Sequence, residues 1–403
     1  MAEKAILLIL DGLGDLPAPK KTPLEMAKKP NMDKLAKTGI QGMMATIGQG
    51  IVPGSDTAHL QILGYALGKY YPGRGPFEAL GCGISLKPGD ITFRANFSTV
   101  NGNEITDRRA GRISSEDAKK LEADVNFKID DVEVIFRSSV EHRGALVLRG
   151  KGLSCNISAT DPHCLGKVLD SVPLDSTPEA KKTAEVLNKF TRMIGQKLEK
   201  NEANLKRKAR NLPQANMVLL RGGGAFCAVP SFSQRFGIKG VCIAGGALYK
   251  GVASFIGMDI ISVPGATGAK DTNLKAKGLA TQKALEKYDF VFLHVKATDS
   301  FAHDGDAKGK TAFIEKIDKE LIPLLVESGA ALIITGDHTT SCVRKDHTGY
   351  DVPVLIHEKG GRTDGIGKFS ESSAMKGGLG HINGADIIPI MLNMIGKAKM
   401  YGS

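Results

Sequence analysis

The sequence predicts an α/β protein, a mainly parallel sheet with helices on both faces that carries a smaller inserted α+β domain. Apolar runs without alternation, such as residues 5–10 and 330–335, are typical of strands buried on both sides in a parallel sheet. Helical patterns, such as residues 311–327, separate these runs. From about residue 86 the sequence pattern changes to short β-like segments between polar turns, and arginine becomes frequent.

The same kinds of pattern, short apolar runs for strands and helical spacing of apolar residues for helices, predict the remaining elements. We expect strands at residues 4–10, 91–100, 132–137, 145–149, 217–220, 241–244, 260–263, 289–295, 330–335 and 352–357. We expect helices at residues 31–38, 176–212, 311–327 and 385–395, and a loop at 296–310. Pro353 places the last strand near an edge, or marks its beginning. The change in sequence pattern divides the chain into a first core segment (1–85), an inserted domain (86–232) and a second core segment (233–403).

Composition narrows the class of protein. Lysine and arginine exceed aspartate and glutamate by 11. This net positive charge is typical of proteins that bind nucleic acid, an anionic membrane surface or a phosphorylated substrate. The chain has no tryptophan and few aromatic residues, which argues against nucleic-acid recognition by stacking. No stretch approaches the length of a membrane span. The six scattered cysteines form no CxxC pair, so we expect reduced thiols and a cytoplasmic protein. Homo-oligomerisation stays open.

The stretch 52–65, VPGSDTAHLQILGY, places a serine where a loop meets a helix. Pro53 and Gly54 stop the preceding segment, and an apolar-periodic run follows at once. Ser55 is therefore an N-cap or a first-turn residue. A serine there either caps the helix or acts as a nucleophile facing an anion pocket, because the first N–H groups of a helix lack internal partners.

Three predicted strands end in acidic residues. The first strand runs into Asp11, and the strand at 289–295 is followed by Asp299 and His303. The strand at 330–335 runs into Asp337 and His338, with His347 nine residues later. The carboxyl ends of parallel strands share one edge of a sheet, which is where ligands bind. These side chains should therefore converge, although isolated acids after strands are usually turn or cap residues.

Mixed Asp/His sites without cysteine suit two divalent ions, Mn²⁺ or Zn²⁺ first and Mg²⁺ less readily. Two such ions can hold the attacking and leaving oxygens of a phosphoryl transfer, and Ser55 would supply the hydroxyl. The remaining histidines considered are interpreted as structural or solvated: His59, His142, His294, His357 and His381.

Long segments carry a jointly specific pattern. They are LILDGLGD at 8–15, VPGSDTAHLQILGY at 52–65, GRGPFEALGCGISLKPGDITFRANFSTV at 73–100, TDRRAGRI at 106–113, HVKATDSFAHDGD at 294–306 and TGDHTTSCVRKDHTGYDVPVLI at 335–356. With these segments the chain resembles, nearly end to end, the cofactor-independent phosphoglycerate mutases of the archaeal type, which belong to the alkaline phosphatase superfamily. The resemblance implies an alkaline-phosphatase-like sheet with an inserted substrate domain.

The resemblance also implies an activity and a metal centre. Ser55 would carry the phosphoryl group between 3-phosphoglycerate and 2-phosphoglycerate in glycolysis and gluconeogenesis, without 2,3-bisphosphoglycerate. One ion would be held by Asp299, His303 and His347, and the other by Asp11, Ser55, Asp337 and His338. Mn²⁺ is expected first, with Zn²⁺, Co²⁺ or Mg²⁺ as substitutes.

Substrate residues are carried over in the same way. The candidates for binding the carboxylate and the phosphate are Arg109, Arg112, Arg94 and Arg221, because arginine binds both groups in bidentate fashion. Lys250 is a further candidate for the phosphate. Asp161 and His163 resemble the family's acid/base residues at the glycerate hydroxyls. The sequence departs from the expected family pattern at Ser300-Phe301 and Thr340-Ser341, which questions loop shape but removes no ligand.

Other functions remain open at this point. A phosphatase or phosphodiesterase of the same superfamily would use the same metals and release phosphate. A mutase for another phosphorylated substrate, or a protein that only binds anions or metals, is the further alternative.

Overall fold

The computed structural model describes residues 2–17, 20–400 and 402. The chain forms two compact units. The first unit comprises Met1–Tyr71 and Pro230–Ser403, and the second unit comprises Pro72–Val229. All but the last three residues of the segment expected as an insertion, 86–232, lie in the second unit. The expected domain limits themselves stay a prediction.

The strands are numbered in chain order. They are β1 (Ala5–Leu10), β2 (Ile40–Ala45), β3 (Ile91–Asn101), β4 (Glu104–Asp107), β5 (Phe127–Ile129), β6 (Val132–Ser138), β7 (Arg143–Arg149), β8 (Gly166–Lys167), β9 (Met217–Ala225), β10 (Gly240–Ile243), β11 (Asp259–Ile260), β12 (Phe290–Val295), β13 (Ala331–Thr335), β14 (Thr339–Ser341), β15 (Asp346–Thr348), β16 (Val352–His357) and β17 (Gly380–Asn383).

The helices are numbered likewise. They are α1 (Pro23–Met26), α2 (Pro30–Lys37), α3 (Ser55–Ile62), α4 (Leu67–Tyr70), α5 (Gly75–Gly81), α6 (Ser115–Val125), α7 (Pro178–Glu199), α8 (Glu202–Ala209), α9 (Phe232–Phe236), α10 (Ala247–Phe255), α11 (Leu274–Ala284), α12 (Ala297–Asp304), α13 (Ala307–Glu320), α14 (Ile322–Glu327), α15 (Glu371–Ala374) and α16 (Ile387–Met394). None of these helices is both long and apolar enough to cross a membrane.

The first unit is built on an eight-stranded sheet in the order β11-β10-β12-β1-β13-β16-β2-β17. Strands β11, β10, β12, β1 and β13 run parallel, whereas β16 is antiparallel to both of its neighbours. Strand β1 is completely buried, which explains its apolar run without alternation. The α/β class predicted from such runs is therefore confirmed.

Helices cover both faces of this sheet. Ile6 and Leu8 of β1 belong to a core with Leu35 of α2 and Ile317 of α13. On the other face, the β12 side chains of Phe290 and Phe292 contact aromatic rings from α9 and α3. The loops at the carboxyl ends of the parallel strands are thereby held on a rigid layer.

The second unit contains an antiparallel sheet in the order β5-β6-β7-β3-β4-β8, with β9 paired to β3. Phe93 and Phe97 of β3 point into a core formed with α6 and α7. Arg94 and Asn96 alternate with them and therefore point to the opposite face. One face of this sheet is thus apolar, while the other carries Arg94 and Asn96 beside a small apolar cluster that includes Ala145 of β7.

Several predicted elements differ in the structure. The helix expected at 176–212 is two helices, because the Asn201 side chain accepts a hydrogen bond from Ala203 N and caps a new one, α8. The loop expected at 296–310 is mostly helical, since the buried face of α12 includes polar residues that hide the apolar period. The strand expected at 260–263 is the short β11, and β2 and β17 were not predicted. Pro353 lies near the start of β16, which is an interior strand.

A carboxylate from α13 caps α2, and removing it should destabilise the fold. Asp318 is buried and accepts hydrogen bonds from Met32 N (2.7 Å) and Asn31 N (3.1 Å). Asp318→Ala leaves both N–H groups without a partner, so the free energy of unfolding should fall by about 1–3 kcal/mol. Urea unfolding measures this, with the exposed neighbour Lys319→Ala as control. Equal stability of the Asp318 variant and wild type would contradict the capping role.

Candidate active site

Three adjacent parallel strands bring the predicted acidic residues to one edge of the first unit's sheet. Strand β1 lies between β12 and β13. Asp11 directly follows β1, Asp299 lies in the first turn of α12 after β12, and Asp337 lies two residues after β13. All three are nearly or completely buried.

Ser55 is the first residue of α3 and is buried. Gly54 occupies the N-cap position, and no side chain caps this helix. Ser55 Oγ instead lies 3.3 Å from His338 Nε2. Of the two interpretations of this serine, the structure therefore supports a first-turn hydroxyl that faces the acidic edge.

Asp11, Asp337 and His338 form one group of ligand atoms. One ligand atom from each lies within 4.8 Å of the others. His338 Nε2 is 3.1 Å from Asp337 Oδ2 and 3.7 Å from Asp11 Oδ1. Asp337 Oδ1 accepts hydrogen bonds from Gly12 N (2.9 Å) and His338 N (3.0 Å), which fixes the carboxylate plane.

Asp299, His338 and His347 form a second such group, again within 4.8 Å. Asp299 Oδ1 lies 3.5 Å from His347 Nε2 and 3.3 Å from His303 Nε2. Asp299 and His303 are four residues apart on α12, so they share a helix face as the spacing predicted. The rings of His338 and His347 stack at 3.6 Å between centroids, which brings the two groups together.

The backbone sets which nitrogen these imidazoles present. His303 Nδ1 lies 2.9 Å from Lys345 O, and His347 Nδ1 lies 2.9 Å from Pro53 O. A carbonyl oxygen can only accept, so each Nδ1 donates its proton. Nε2 of each ring is therefore the nitrogen that points toward Asp299 and that an ion would bind in place of a proton, which is how histidine is oriented in metal centres.

The charges at this edge are strongly coupled. Burial alone would raise the pKa of Asp299, but the Lys296 ammonium and the imidazoles of His303 and His347 hold it well below its usual range. Burial likewise opposes ionisation of Asp337, whose pKa is lowered mainly by His338. The buried Asp337 Oδ2 accepts no hydrogen bond from the described residues. These carboxylates and imidazoles offer oxygen and nitrogen atoms and carry a net negative charge. Together with this buried Asp337 oxygen, they fit divalent cations.

Lys296, which was not predicted as a site residue, bridges the two groups. Its Nζ donates to Asp11 Oδ1 (3.2 Å) and to Asp299 Oδ2 (2.6 Å). Burial would lower the pKa of Lys296, but Asp11 and the other anionic neighbours raise it well above its usual value. The ammonium therefore lies as a counter-charge between carboxylates that follow different strands.

Two histidines interpreted as structural also contact the site residues. His294 Nε2 donates to Asp11 Oδ2 at 3.0 Å, and the ring stacks on Tyr249. Burial lowers the pKa of His294 to about 4, so the ring is neutral. His59 Nδ1 donates to Ser55 O at 2.6 Å. The i,i+4 spacing of His59 from Ser55 on a helix was a signal that could have identified it.

A buried ion pair fastens the loop after β1 to the hairpin that follows Asp337. Lys310 Nζ, completely buried, donates to Asp15 Oδ2 (2.8 Å), Gly14 O (3.1 Å) and Thr340 O (3.0 Å). Glu371 Oε1 accepts from Asp15 N at 3.3 Å on the same loop. The positions of the candidate ligand residues therefore depend on contacts that other residues make.

The predicted acid/base pair lies in the second unit, among arginines. Asp161 is buried, and both of its oxygens accept hydrogen bonds from Arg108 Nη2 at 2.9 Å. Arg221 Nη1 lies 3.1 Å from His163 Nδ1. A guanidinium only donates, so His163 Nδ1 accepts and the neutral ring carries its proton on Nε2. Arg221 is also paired across the sheet with Arg94.

The other predicted substrate residues lie on different elements. Arg109 and Arg112 are exposed in the turn after β4, where the Asp107 carboxylate accepts from Arg109 N and Gly111 N, both at 2.7 Å. Lys250 is half-buried on α10 and belongs to the first unit. Arg108, which contacts Asp161, was not singled out from the sequence.

Comparison with known proteins identifies the family of this chain. A model of the metalloenzyme superfamily matches residues 3–394. A 2,3-bisphosphoglycerate-independent phosphoglycerate mutase of Archaeoglobus fulgidus is 48% identical, and one of Methanocaldococcus jannaschii is 46% identical, each over 99% of both chains. The chain belongs to the 2,3-bisphosphoglycerate-independent phosphoglycerate mutases of the metalloenzyme superfamily.

Solved structures show the same fold. A protein of Pyrococcus horikoshii is 36% identical and superimposes with a TM-score of 0.87 over 100% of both chains. A cofactor-independent phosphoglycerate mutase of Thermoplasma acidophilum is 34% identical, with a TM-score of 0.72 over 98% of this chain and 100% of that one. The fold and family expected from the sequence segments are thereby confirmed.

Glu371, which supports the loop of Asp15, should make stability depend on pH. Burial raises its pKa from 4.5 to about 7. A carboxyl with a raised folded pKa contributes stability that is fully present below its unfolded pKa of 4.5 and is lost as the pH rises through about 7. Glu371→Gln mimics the protonated form and lacks this loss.

Between about pH 5 and pH 8, the free energy of unfolding of wild type should therefore fall relative to that of Glu371→Gln. Urea unfolding of both proteins, in chelator to keep them metal-free, measures the difference. Parallel pH profiles for the two proteins would contradict the raised pKa.

Proposed function

We propose that this chain interconverts 3-phosphoglycerate and 2-phosphoglycerate, without 2,3-bisphosphoglycerate, through a phosphoserine at Ser55. It would serve glycolysis and gluconeogenesis. The observation that carries the proposal is the position of Ser55 Oγ, buried at the start of α3 and 3.3 Å from His338 Nε2 beside the three carboxylates. Family membership supports the same activity.

Two divalent ions are part of this proposal. Asp299, His303 and His347 would hold one, and Asp11, Ser55, Asp337 and His338 would hold the other. When bound, such ions lower the pKa of a hydroxyl and neutralise charge on the transferred group. The mixed carboxylate and imidazole set favours Mn²⁺, with Zn²⁺, Co²⁺ or Mg²⁺ as substitutes.

The transfer takes place in two displacements. Ser55 Oγ loses its proton and attacks the phosphorus of 3-phosphoglycerate, and the C3 oxygen leaves and takes up a proton. The glycerate 2-hydroxyl then gives its proton to a base and attacks the phosphoserine, which regenerates the Ser55 oxygen. The unpartnered N–H groups at the start of α3 are suited to the phosphoryl oxygens.

The second unit would bind the glycerate. Asp161, ionised beside Arg108, or His163 would take the proton of the 2-hydroxyl. Burial would raise the pKa of Asp161, and the Arg108 contact lowers it below its usual range, so this carboxylate is available as an acceptor at neutral pH. Arg94, Arg221, Arg109 and Arg112 would bind the carboxylate and phosphate, and Lys250 of the first unit is proposed for the phosphate.

A phosphatase is the second outcome to be tested, because the same serine and ligands could pass the phosphoryl group to water.

The proposed substrate is a small phosphorylated molecule, and neither nucleic acid nor a membrane is part of the proposal. A cytoplasmic setting is proposed because all six cysteines are free thiols.

Removing the Ser55 hydroxyl should abolish the mutase reaction. In Mn²⁺-loaded Ser55→Ala, formation of 2-phosphoglycerate, followed by coupling to enolase, should fall by at least about 10³-fold because no nucleophile remains. Thr57→Ala is the matched control, since the Thr57 hydroxyl donates to Gly54 O (2.9 Å) near the same helix start.

Phosphate release is measured in the same reactions. Full mutase activity in Ser55→Ala, or loss in Thr57→Ala alone, would refute the role of Ser55. Stoichiometric phosphate release without 2-phosphoglycerate would show a phosphatase instead of a mutase.

A further inference from the structure

Thr340 connects the two groups of ligand atoms through one hydroxyl. It lies in β14 and is completely buried. Its Oγ1 is 2.9 Å from Asp299 Oδ1 and 2.8 Å from His338 Nδ1. Asp299 follows β12, whereas His338 follows β13 and belongs to both ligand groups. A single side chain therefore touches ligands that come from different strands.

The direction of both hydrogen bonds follows from elementary chemistry. Thr340 Oγ1 donates its single hydroxyl proton to Asp299 Oδ1, because a carboxylate that binds a metal ion is deprotonated and can only accept. The Thr340 oxygen then has only lone pairs left for His338. His338 Nδ1 must therefore carry a proton and donate it, which leaves Nε2 as the ligand nitrogen, beside Ser55 Oγ.

The position of this hydroxyl is fixed from several sides. Thr340 N donates to Gly14 O (3.1 Å), and Thr340 O accepts from Lys310 Nζ (3.0 Å). A Cβ on Gly12 would lie 2.5 Å from Thr340 Oγ1, and Gly12 has a positive φ of 62°. The loop after β1 thus leaves room for the Thr340 hydroxyl, and only glycine fits there without strain.

We propose that Thr340 is a positioning residue that couples the two ion sites, by holding Asp299 and by setting the tautomer of His338. This inference rests on the two-ion centre of the proposed function. Residues that orient ligands typically change metal affinity about 10–100-fold when they are removed. Because Thr340 contacts both groups, its loss should weaken both ions, not one.

Calorimetric titration of metal-free protein with Zn²⁺ tests the coupling. Thr340→Val keeps the shape but removes the hydroxyl, and both Zn²⁺ affinities should fall about 10–100-fold. Thr340→Ser restores the hydroxyl and should restore both affinities. His303→Ala removes a proposed ligand of only one of the two ions and should weaken mainly that ion.

The matched control is Thr339→Val, the same change one residue earlier. The Thr339 hydroxyl is also buried, but it donates to Asp351 O at 3.1 Å and contacts no ligand. Thr339→Val should bind both ions as wild type does. An equal loss in Thr339→Val, unchanged affinities in Thr340→Val, or no rescue by Thr340→Ser would overturn the proposal.

A spectroscopic readout separates positioning from a general loss of structure. In ¹⁵N-histidine-labelled, Zn²⁺-loaded protein, His338 should show a protonated Nδ1 and a metal-shifted Nε2, and Thr340→Val should lose the protected Nδ1–H signal. A proton on Nε2 of wild-type His338 would overturn the proposal. Zinc affinity and tautomer do not require turnover. If wild type lacks mutase activity but these effects appear, the proposed function fails and the role of Thr340 stands.

Discussion

Mutual repulsion among the buried carboxylates of Asp11, Asp299 and Asp337 is the constraint that the rest of the site must satisfy. Burial removes the water that would screen these charges, so each carboxylate needs a cation or a donor. Lys296 supplies a cation between Asp11 and Asp299, and Gly12 N donates to Asp337. The same excess of negative charge is what makes this edge of the sheet suited to divalent ions.

The fold explains how such an arrangement can be held. Three parallel strands, β12, β1 and β13, fix the starting points of the acidic loops, and helices pack on both faces of their sheet. The second unit has a different design, an antiparallel sheet with one apolar face and one face that carries Arg94. The proposed metal ligands and the proposed nucleophile thus lie in the first unit, and most of the proposed glycerate-binding residues lie in the second.

The parallel strands of the first unit and most of its acidic site residues could be predicted from the sequence, for identifiable reasons. Buried parallel strands are long apolar runs, and acids placed directly after them, such as Asp11 and Asp337, are visible. Only the spacing of His347 from His338 pointed to it, because it belongs to a hairpin with no periodic signal, and the resemblance supplied its role as a ligand. His294 and Thr340 were not recognised, since a polar residue inside or beside an apolar run is indistinguishable from a packed one until its partners are known. Lys296 was missed because the segment after β12 was predicted as a loop.

We infer that the carboxylate edge makes Ser55 a phosphoryl acceptor. The most direct test mixes Mn²⁺-loaded protein with 3-phosphoglycerate, quenches in acid within milliseconds to seconds, and examines the peptide that contains Ser55 by mass spectrometry. We expect a phosphoryl group on Ser55 that appears with substrate and is absent when chelator removes the metal. Turnover to 2-phosphoglycerate with the phosphoryl group on another residue, or with Ser55 never modified at any time, would contradict it.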